Sequence, residues 1–290
     1  MEDAMNHRAG AAGPGNPINA ECHALKIAVE VAQAWHKGGG PDRPEVPLGV
    51  VATLALASLA THRKAEVAEW VRGRSAAEFL GFARWVWRAV LVQRPDVLRL
   101  AAPIVGWLDG TDEQLADRIK RTADAALAAG QLELTSGDRR FDADLLGPVL
   151  GALRSPAATK VDAQMYTPGD VALALTSVML GDVKPGQAFV DDTIGTGGLF
   201  RAAAQVIRHR GLAPAAIAWY GADVDELAIA AAAVNSVIWQ LGPNVILYVG
   251  DPLAEPDWSA AAAQQKVQFH REVHALRGVL AALDLENTPR

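Results

Sequence analysis

Apolar residues recur every three to four positions from Glu21 to Trp35, and Gly38-Gly39-Gly40-Pro41 then halts the pattern with residues that do not continue a helix. The helical period returns over Leu48 to Thr61, Ala65 to Val71, Ser75 to Val92 and Pro95 to Leu108. Several of these segments begin with Ser, Thr or Pro, the residues that suit a helix start. Thr111-Asp112-Glu113-Gln114 predicts a further helix, with Thr111 as its cap, running to Ala129 before Gly130. Leu132 to Leu134 and Arg139 to Phe141, around Thr135-Ser136-Gly137-Asp138, predict a short hairpin. It reads as a surface element closing a helical domain, with a DNA-reading wing as the alternative. Asp142 to Leu153 returns to helix.

Beyond Ser155 the pattern changes. Pro168 to Leu180, Gly198 to His209 and Asp225 to Trp239 have the helical period, while Gln187 to Asp191, Ile217 to Ala222 and Val245 to Gly250 are short, apolar and β-prone. Strands alternating with helices imply right-handed βαβ units and a parallel sheet. The expected fold is α/β: a flexible tail over 1–20, an all-helical domain over 21–154, and a partial Rossmann-like domain over 155–258. A C-terminal helix over 259–290 completes the division. In that last segment Phe269, Val273, Leu276, Leu280 and Leu283 form a seam at spacings of four and three. A three-stranded parallel sheet leaves Ala188 to Asp191 with an open edge that needs cover. The last helix is expected to pack back on the sheet, with pairing to a partner helix as the alternative.

Composition narrows the function classes. The 290 residues carry a net charge of -6, which speaks against a generally basic nucleic-acid-coating protein. The single cysteine, Cys22, excludes an internal disulfide framework and fits a reducing, cytoplasmic setting. The longest apolar run, Pro47 to Ala60, falls short of the roughly 20 residues a bilayer requires, so no membrane association is expected. His270 and His274 lie one helical turn apart without a third ligand, and a solvated helix face is preferred to a metal site. Trp70, Trp85 and Trp87 stand among Arg72, Arg74, Arg84 and Arg88; tryptophans of a helical core are preferred to a base-stacking surface.

The strand ends carry the chemistry. Asp191 closes the first strand, and Gly195-Thr196-Gly197-Gly198 follows it into a helix. Glycines there let backbone pass close to a ligand, and the helix N-terminus offers free N–H groups to a carboxylate. Asp191 can accept from an ammonium group, Asp223 at the second strand end from two ribose hydroxyls, and Asp251 at the third from an exocyclic amine. No Lys-Ser or Lys-Thr follows the glycines, and Phe200 stands where a dinucleotide fingerprint needs its third glycine. A phosphate ligand is therefore not expected.

Gln164-Met165-Tyr166-Thr167-Pro168, Asp191 with Gly195 to Gly198, Gly221-Ala222-Asp223 and Gly250-Asp251-Pro252-Leu253 resemble the cofactor half of the adenine-specific N6 DNA methyltransferases. The modification subunit of type I restriction systems is the form most similar. The resemblance covers roughly residues 160 to 255 and implies S-adenosylmethionine as cofactor. It implies that Asp191 and Gly195, Thr196, Gly197 and Gly198 hold the methionine part. Gln164, Tyr166, Thr167 and Pro168 would close over it, with Asp223 and Val224 at the ribose and Asp251 and Pro252 at the adenine. Asp192 stands where the family has proline, and Ile194 where it has a small residue or cysteine.

The family grips its target base with Asn/Asp-Pro-Pro and an aromatic residue after a fourth strand, and nothing of that kind follows Asp251. Asn16-Pro17 lacks both a second proline and an aromatic. The resemblance therefore reads as truncated after the cofactor-binding half, in a chain that does not methylate DNA alone and depends on a partner chain. Two alternatives stand beside that reading: a working adenine methyltransferase subunit or fragment, and a DNA-binding or dimerising regulator that keeps only the fold. DNA, reached through a partner or the helical domain, and a second copy of the chain are the other expected partners.

Overall fold

A computed structural model describes residues 17–37, 39, 41–60, 63–154 and 169–286. The helical half contains α1 (Pro17–Lys37), α2 (Glu45–Leu59), α3 (Lys64–Arg72), α4 (Ala76–Gln93), α5 (Pro95–Leu100), α6 (Glu113–Ala128), α7 (Gln131–Thr135) and α8 (Leu146–Leu153). Helix α2 is its axis. Every side chain from Val46 to Ser58 is buried, as an apolar run with no polar face demands. Its polar groups bond locally or across the core: Thr53 Oγ1 donates to Gly49 O, and Trp87 Nε1 donates to Thr53 Oγ1 at 2.9 Å. Gly49 is the point of closest approach, since a Cβ there would lie 2.0 Å from Ile104 O.

Local chemistry sets most helix ends. Ser75 and Glu78 form a reciprocal capping box on α4, the Ser75 hydroxyl accepting from Glu78 N–H and the Glu78 carboxylate from Ser75 N–H. Several expectations are corrected. The segment expected as one helix from Pro95 to Leu108 breaks after Leu100 into two single 3₁₀ turns, because Pro103 lacks the N–H a helix needs. Asp112, not Thr111, caps α6, accepting from Leu115 N–H at 2.7 Å.

The predicted hairpin is absent. Leu132 to Leu134 belong to α7, and Gly137–Phe141 is a 3₁₀ turn. Gln131, Leu132, Leu134 and Thr135 are all buried, whereas a strand would send alternate side chains outward. Gln131 Nε2 also donates to Val51 O in α2 at 2.7 Å, which fixes the turn on the core. The DNA-reading wing falls with the hairpin. The tryptophans also divide: Trp87 is buried, but Trp85 is 61% exposed and stacks with Phe82, which in turn meets the exposed Trp70. Phe79, Ala83, Val86 and Trp87 occupy the inner stripe of α4, so Trp85 points away from it.

The second half holds α9 (Gly169–Met179), β1 (Ala188–Asp191), α10 (Gly198–His209), β2 (Ala218–Asp223), α11 (Glu226–Ile238), β3 (Val245–Val249) and α12 (Trp258–Glu286). The three strands are parallel in the order β1-β2-β3, with Asp191 opposite Gly221 and Asp223 opposite Val249. An N-terminal helical half followed by a partial Rossmann-like parallel sheet is thus the architecture. The two halves share one hydrophobic core. Helix α11, with Ala228 to Val234 wholly buried, contacts α2, α5 and α8 on one side and the sheet on the other. Alanines on both faces let it sit close to each.

Helix α12 does pack back on the sheet, but over β2 and β3 instead of along the β1 edge. Trp258 and Ala262 bury against Ala222 and Ile246, and Val190 in β1 remains exposed. Of the expected seam, Phe269 and Val273 are half-buried, with Arg99 lying 5.2 Å over the Phe269 ring, and Leu276 is exposed. The helix is pinned by charge. Asp96 at the start of α5 takes Arg94 through two bonds of 3.0 Å and Lys266 of α12 at 2.9 Å. Lys266 Nζ also donates to Pro243 O and Val245 O at the start of β3.

Burial alone would raise the Asp96 carboxyl, but Arg94 and Lys266 outweigh it and hold the group at about 2, against an ordinary 3.8. A depressed carboxyl stabilises the fold above its unfolded value. This contribution, roughly 2 kcal/mol, is present above pH 3.8 and lost as pH falls towards 2. Asp96→Ala leaves two cations without their carboxylate and is expected to cost about 3 kcal/mol in urea unfolding followed by tryptophan fluorescence. The variant is also expected to lose the part of the acid transition that falls in that window; an unchanged acid profile would overturn the assignment.

Candidate functional site

A cavity of about 1110 Å³ opens at the carboxyl end of the sheet, where a doubly wound fold places its ligand. β1 ends in Asp191, whose side chain is 8% exposed. One carboxylate oxygen accepts from Thr193 N–H at 3.1 Å, while the other is buried without a partner among the described residues. Burial pushes this carboxyl up against the pull of the Thr193 N–H, and the neighbouring Asp192 and Asp223 charges push the same way. An orphaned buried carboxylate oxygen on a cavity wall is costly unless a cation or donor meets it.

The chain then turns through Gly195 and Gly197, at φ of 55° and 98°, into α10. Only glycine adopts these values without strain, and a Cβ on Gly197 would also press on Trp239. A Cβ on Gly198 would meet nothing, and Gly198 and Leu199 in the first turn of α10 line the cavity, where a helix has N–H groups without partners of its own. Asp223 at the end of β2 fixes this loop, accepting from Gly195 N–H at 2.8 Å through one oxygen and from Asp225 N–H at 2.9 Å through the other. Each oxygen keeps a lone pair for a further donor.

A second anchor comes from the helical half and was not singled out in the sequence. Asp144, just ahead of α8, accepts from the Thr196 hydroxyl, from Asn235 Nδ2 at 2.9 Å and from Gly147 N–H at 3.2 Å. Asn235, buried in α11, also donates to Thr196 O at 2.9 Å. Burial pushes the Asp144 carboxyl up, while these three donors and the Arg201 charge pull it back. Arg201, 3% exposed in α10, donates to Asp142 O at 3.0 Å and pairs with Glu21 of α1 at 3.4 Å. No spacing rule could flag Asp144, whose partners lie 52 and 91 residues away.

Of the residues the sequence pointed to, Asp191, Gly195, Thr196, Gly198, Asp223 and Val224 line the cavity. Gly197 lies behind the loop against Trp239. Asp251 and Pro252 are not on the cavity wall; Asp251 is exposed and accepts from Leu253 N–H at 2.9 Å. Gln164, Tyr166, Thr167 and Pro168 lie outside the described residues. The sequence missed the contribution of α1 and α8, which supply Glu21, Leu25, Val29, Pro148 and Ala152. Among the described residues the wall carries six carboxylates (Glu21, Asp144, Asp191, Asp223, Asp225 and Glu226) and the Arg201 guanidinium. Arg154 is paired with Asp225 and Arg201 with Glu21, so the charge left to meet a positively charged ligand lies with the Asp191 oxygen that has no partner among the described residues.

Asp144→Ala would leave Thr196, Asn235 and the Gly147 N–H without their acceptor. A loss of about 2–4 kcal/mol in urea unfolding is expected, with Thr196→Val milder because Asn235 and Gly147 still hold the carboxylate. Equal losses in the two variants would contradict this hierarchy.

Residues 143–272 match the family model described as N-6 DNA Methylase, which bears out the resemblance carried by the strand-end motifs. Among solved structures, the chain is similar to the type I restriction-modification system methyltransferase subunit from Streptococcus thermophilus, with 18% identity and a TM-score of 0.45. That match covers 81% of this chain and 59% of the other, so the chain spans under two thirds of its relative's length. No curated protein matches the chain.

Proposed function

From the premise that residues 143–272 belong to the N-6 DNA methylase family, we propose that the chain holds S-adenosylmethionine at the carboxyl end of its sheet, as the cofactor-binding part of a DNA adenine N6-methyltransferase. One observation carries the reading: the buried oxygen of Asp191, on the cavity wall, that has no partner among the described residues. The ligand is a cation twice over, at its ammonium and its sulfonium. When bound, it supplies a methyl group activated for transfer to a nucleophile.

The residues divide the work by chemistry. Asp191 accepts from the ammonium group, and the N–H groups opening α10 face the carboxylate. Asp223 accepts from the ribose hydroxyls while its bonds to Gly195 and Asp225 keep the loop in place. Asp144 holds Thr196, and through it the glycine turn, in the conformation the ligand meets. Gln164, Tyr166, Thr167 and Pro168 close over the methionine part in this reading, and Asp251 and Pro252 stand on the adenine side. Residues 1–290 hold no Asn/Asp-Pro-Pro run. Gripping the flipped adenine therefore falls to another segment, on a partner chain or elsewhere in the same polypeptide. In this reading the chain alone transfers no methyl group, and it works in the cytoplasm on DNA presented with that partner.

Calorimetric titration of S-adenosylmethionine into the full chain tests this. Binding is expected, weakened at least tenfold by Asp191→Asn and by Asp223→Ala. Because the Asp191 carboxyl is raised, its protonated form persists above the ordinary carboxylate range. Affinity should therefore rise with pH through that titration, with protons released on binding, and Asp191→Asn should abolish both effects. Absence of binding by the wild-type chain would sink the proposal.

A further inference from the structure

Helix α4 buries Phe79, Ala83, Val86 and Trp87 and leaves a second apolar stripe in water. Phe82, Trp85, Ala89 and Val92 follow the i, i+3, i+7, i+10 pattern of one face; Phe82 is half-buried and the other three are exposed. Trp70 of α3, also exposed, joins the stripe. Its ring centroid lies 5.4 Å from that of Phe82, and Phe82 stacks with Trp85 at 6.3 Å with an interplanar angle of 24°. The Arg74 guanidinium lies 4.6 Å over the Trp70 ring. Guanidinium, indole, phenyl and indole thus form a row that ends at Trp85. Gly81, one turn ahead of Trp85, is exposed, and a Cβ there would meet nothing. Helical side chains lie over the turn N-terminal to them, so the space above Gly81 adjoins the last ring of the row.

The same stretch is basic in an acidic chain. Residues 63–93 carry six arginines and lysines against three glutamates, a balance of +3 in a protein of net charge -6. Two of the glutamates are already paired, Glu66 with Arg63 and Glu78 with Arg74. No carboxylate follows Glu78 in α4, whereas Arg84 and Arg88 stand exposed one turn apart beside the stripe. Arg84 is held there by donating to Leu108 O at 2.7 Å. Positive charge beside exposed rings suits a polyanion that also offers flat π faces. An acidic peptide supplies the charge without the faces, and a duplex hides the faces of its bases against one another. We propose that the α3–α4 surface binds single-stranded DNA, with an unpaired base stacked on Trp85 and phosphates at Arg84 and Arg88. DNA is the polymer assigned because residues 143–272 match the N-6 DNA methylase family. None of these side chains lines the cavity at the strand ends, so the inference does not rest on the cofactor reading.

Fluorescence anisotropy of a labelled oligodeoxythymidylate of about 15 nucleotides, titrated with the full chain, tests this. Binding is expected to be at least tenfold tighter than to a mixed-sequence duplex of the same length or to poly-glutamate, and no weaker than to the matching oligouridylate. Trp85→Leu keeps an apolar side chain without a π face and is expected to weaken binding at least fivefold, while Trp85→Phe stays within about threefold of wild type. Arg88→Gln should reduce the slope of log affinity against log salt by about 0.7. Both positions are exposed, so the melting temperature should change little in any of these variants. A wild-type chain that does not bind the oligonucleotide would overturn the inference, as would equal binding of the duplex or of poly-glutamate, or tighter binding of oligouridylate. Trp85→Leu and Trp85→Phe behaving alike would overturn the stacking. Titration with S-adenosylmethionine is expected to be unchanged by the Trp85 and Arg88 variants, so the cofactor proposal stands or falls separately.

Discussion

The arrangement of the cavity at the carboxyl end of the sheet depends on one carboxylate. Asp144 precedes α8 in the helical half, Thr196 lies in the glycine turn after β1, and Asn235 is buried in α11; all three meet at the Asp144 side chain. A carboxylate with three donors is held far more rigidly than any one of its partners would be alone. It fixes the turn that carries Gly195 and Gly198 relative to both the sheet and the helices. Asp223 fixes the same turn from the other side through Gly195 N–H. The loop with the least steric constraint of its own is therefore the most tied down by its neighbours.

That tie is effective because the two halves do not behave as separate bodies joined by a linker. Helix α11 presents alanines to both, and a single core runs from α2 through α11 to the inner face of the sheet. At the opposite end of the strands, the Arg94–Asp96–Lys266 group joins α5, the start of β3 and α12. Buried ionic groups of this kind contribute less net stability than their Coulomb attraction implies, but they are exacting about geometry. Polar fixings at both ends of the strands, with an apolar core between them, leave little freedom for the helical half to rotate over the sheet.

The chemistry of the cavity follows from this. Among the described residues six carboxylates share one wall with Arg201; the Arg201 guanidinium is committed to Asp142 O and to Glu21, and Arg154 is paired with Asp225. Two of the wall carboxylates, Asp144 and Asp191, are raised by burial, which marks them as costly to keep ionised without a partner. Asp144 has its partners within the chain. One oxygen of Asp191 has none among the described residues, and this asymmetry is what sets the candidate ligand site apart from a structural polar network.

Much of this was legible in the sequence, because local rules decide it. The helix Gly198 to His209 was read to the residue, the three strands to within one residue at either end, and the parallel sheet followed from the alternation of periods. Residue type and order singled out the strand-end acids and the glycine turn, of which Asp191, Asp223, Gly195 and Gly198 line the cavity and Asp251 does not. The misreadings arose where burial overrode local preference. Leu132 to Leu134 looked strand-like, but four buried neighbours in α7 needed the core on one side, and Trp85 looked like core although its place on α4 faces outward. The role of Asp144 and the apolar wall from α1 depend on contacts between residues dozens of positions apart. Spacing along a chain encodes helix faces and strand alternation; which face meets which is decided only when the core closes, and for this protein that closure made the helical half a wall of the cavity.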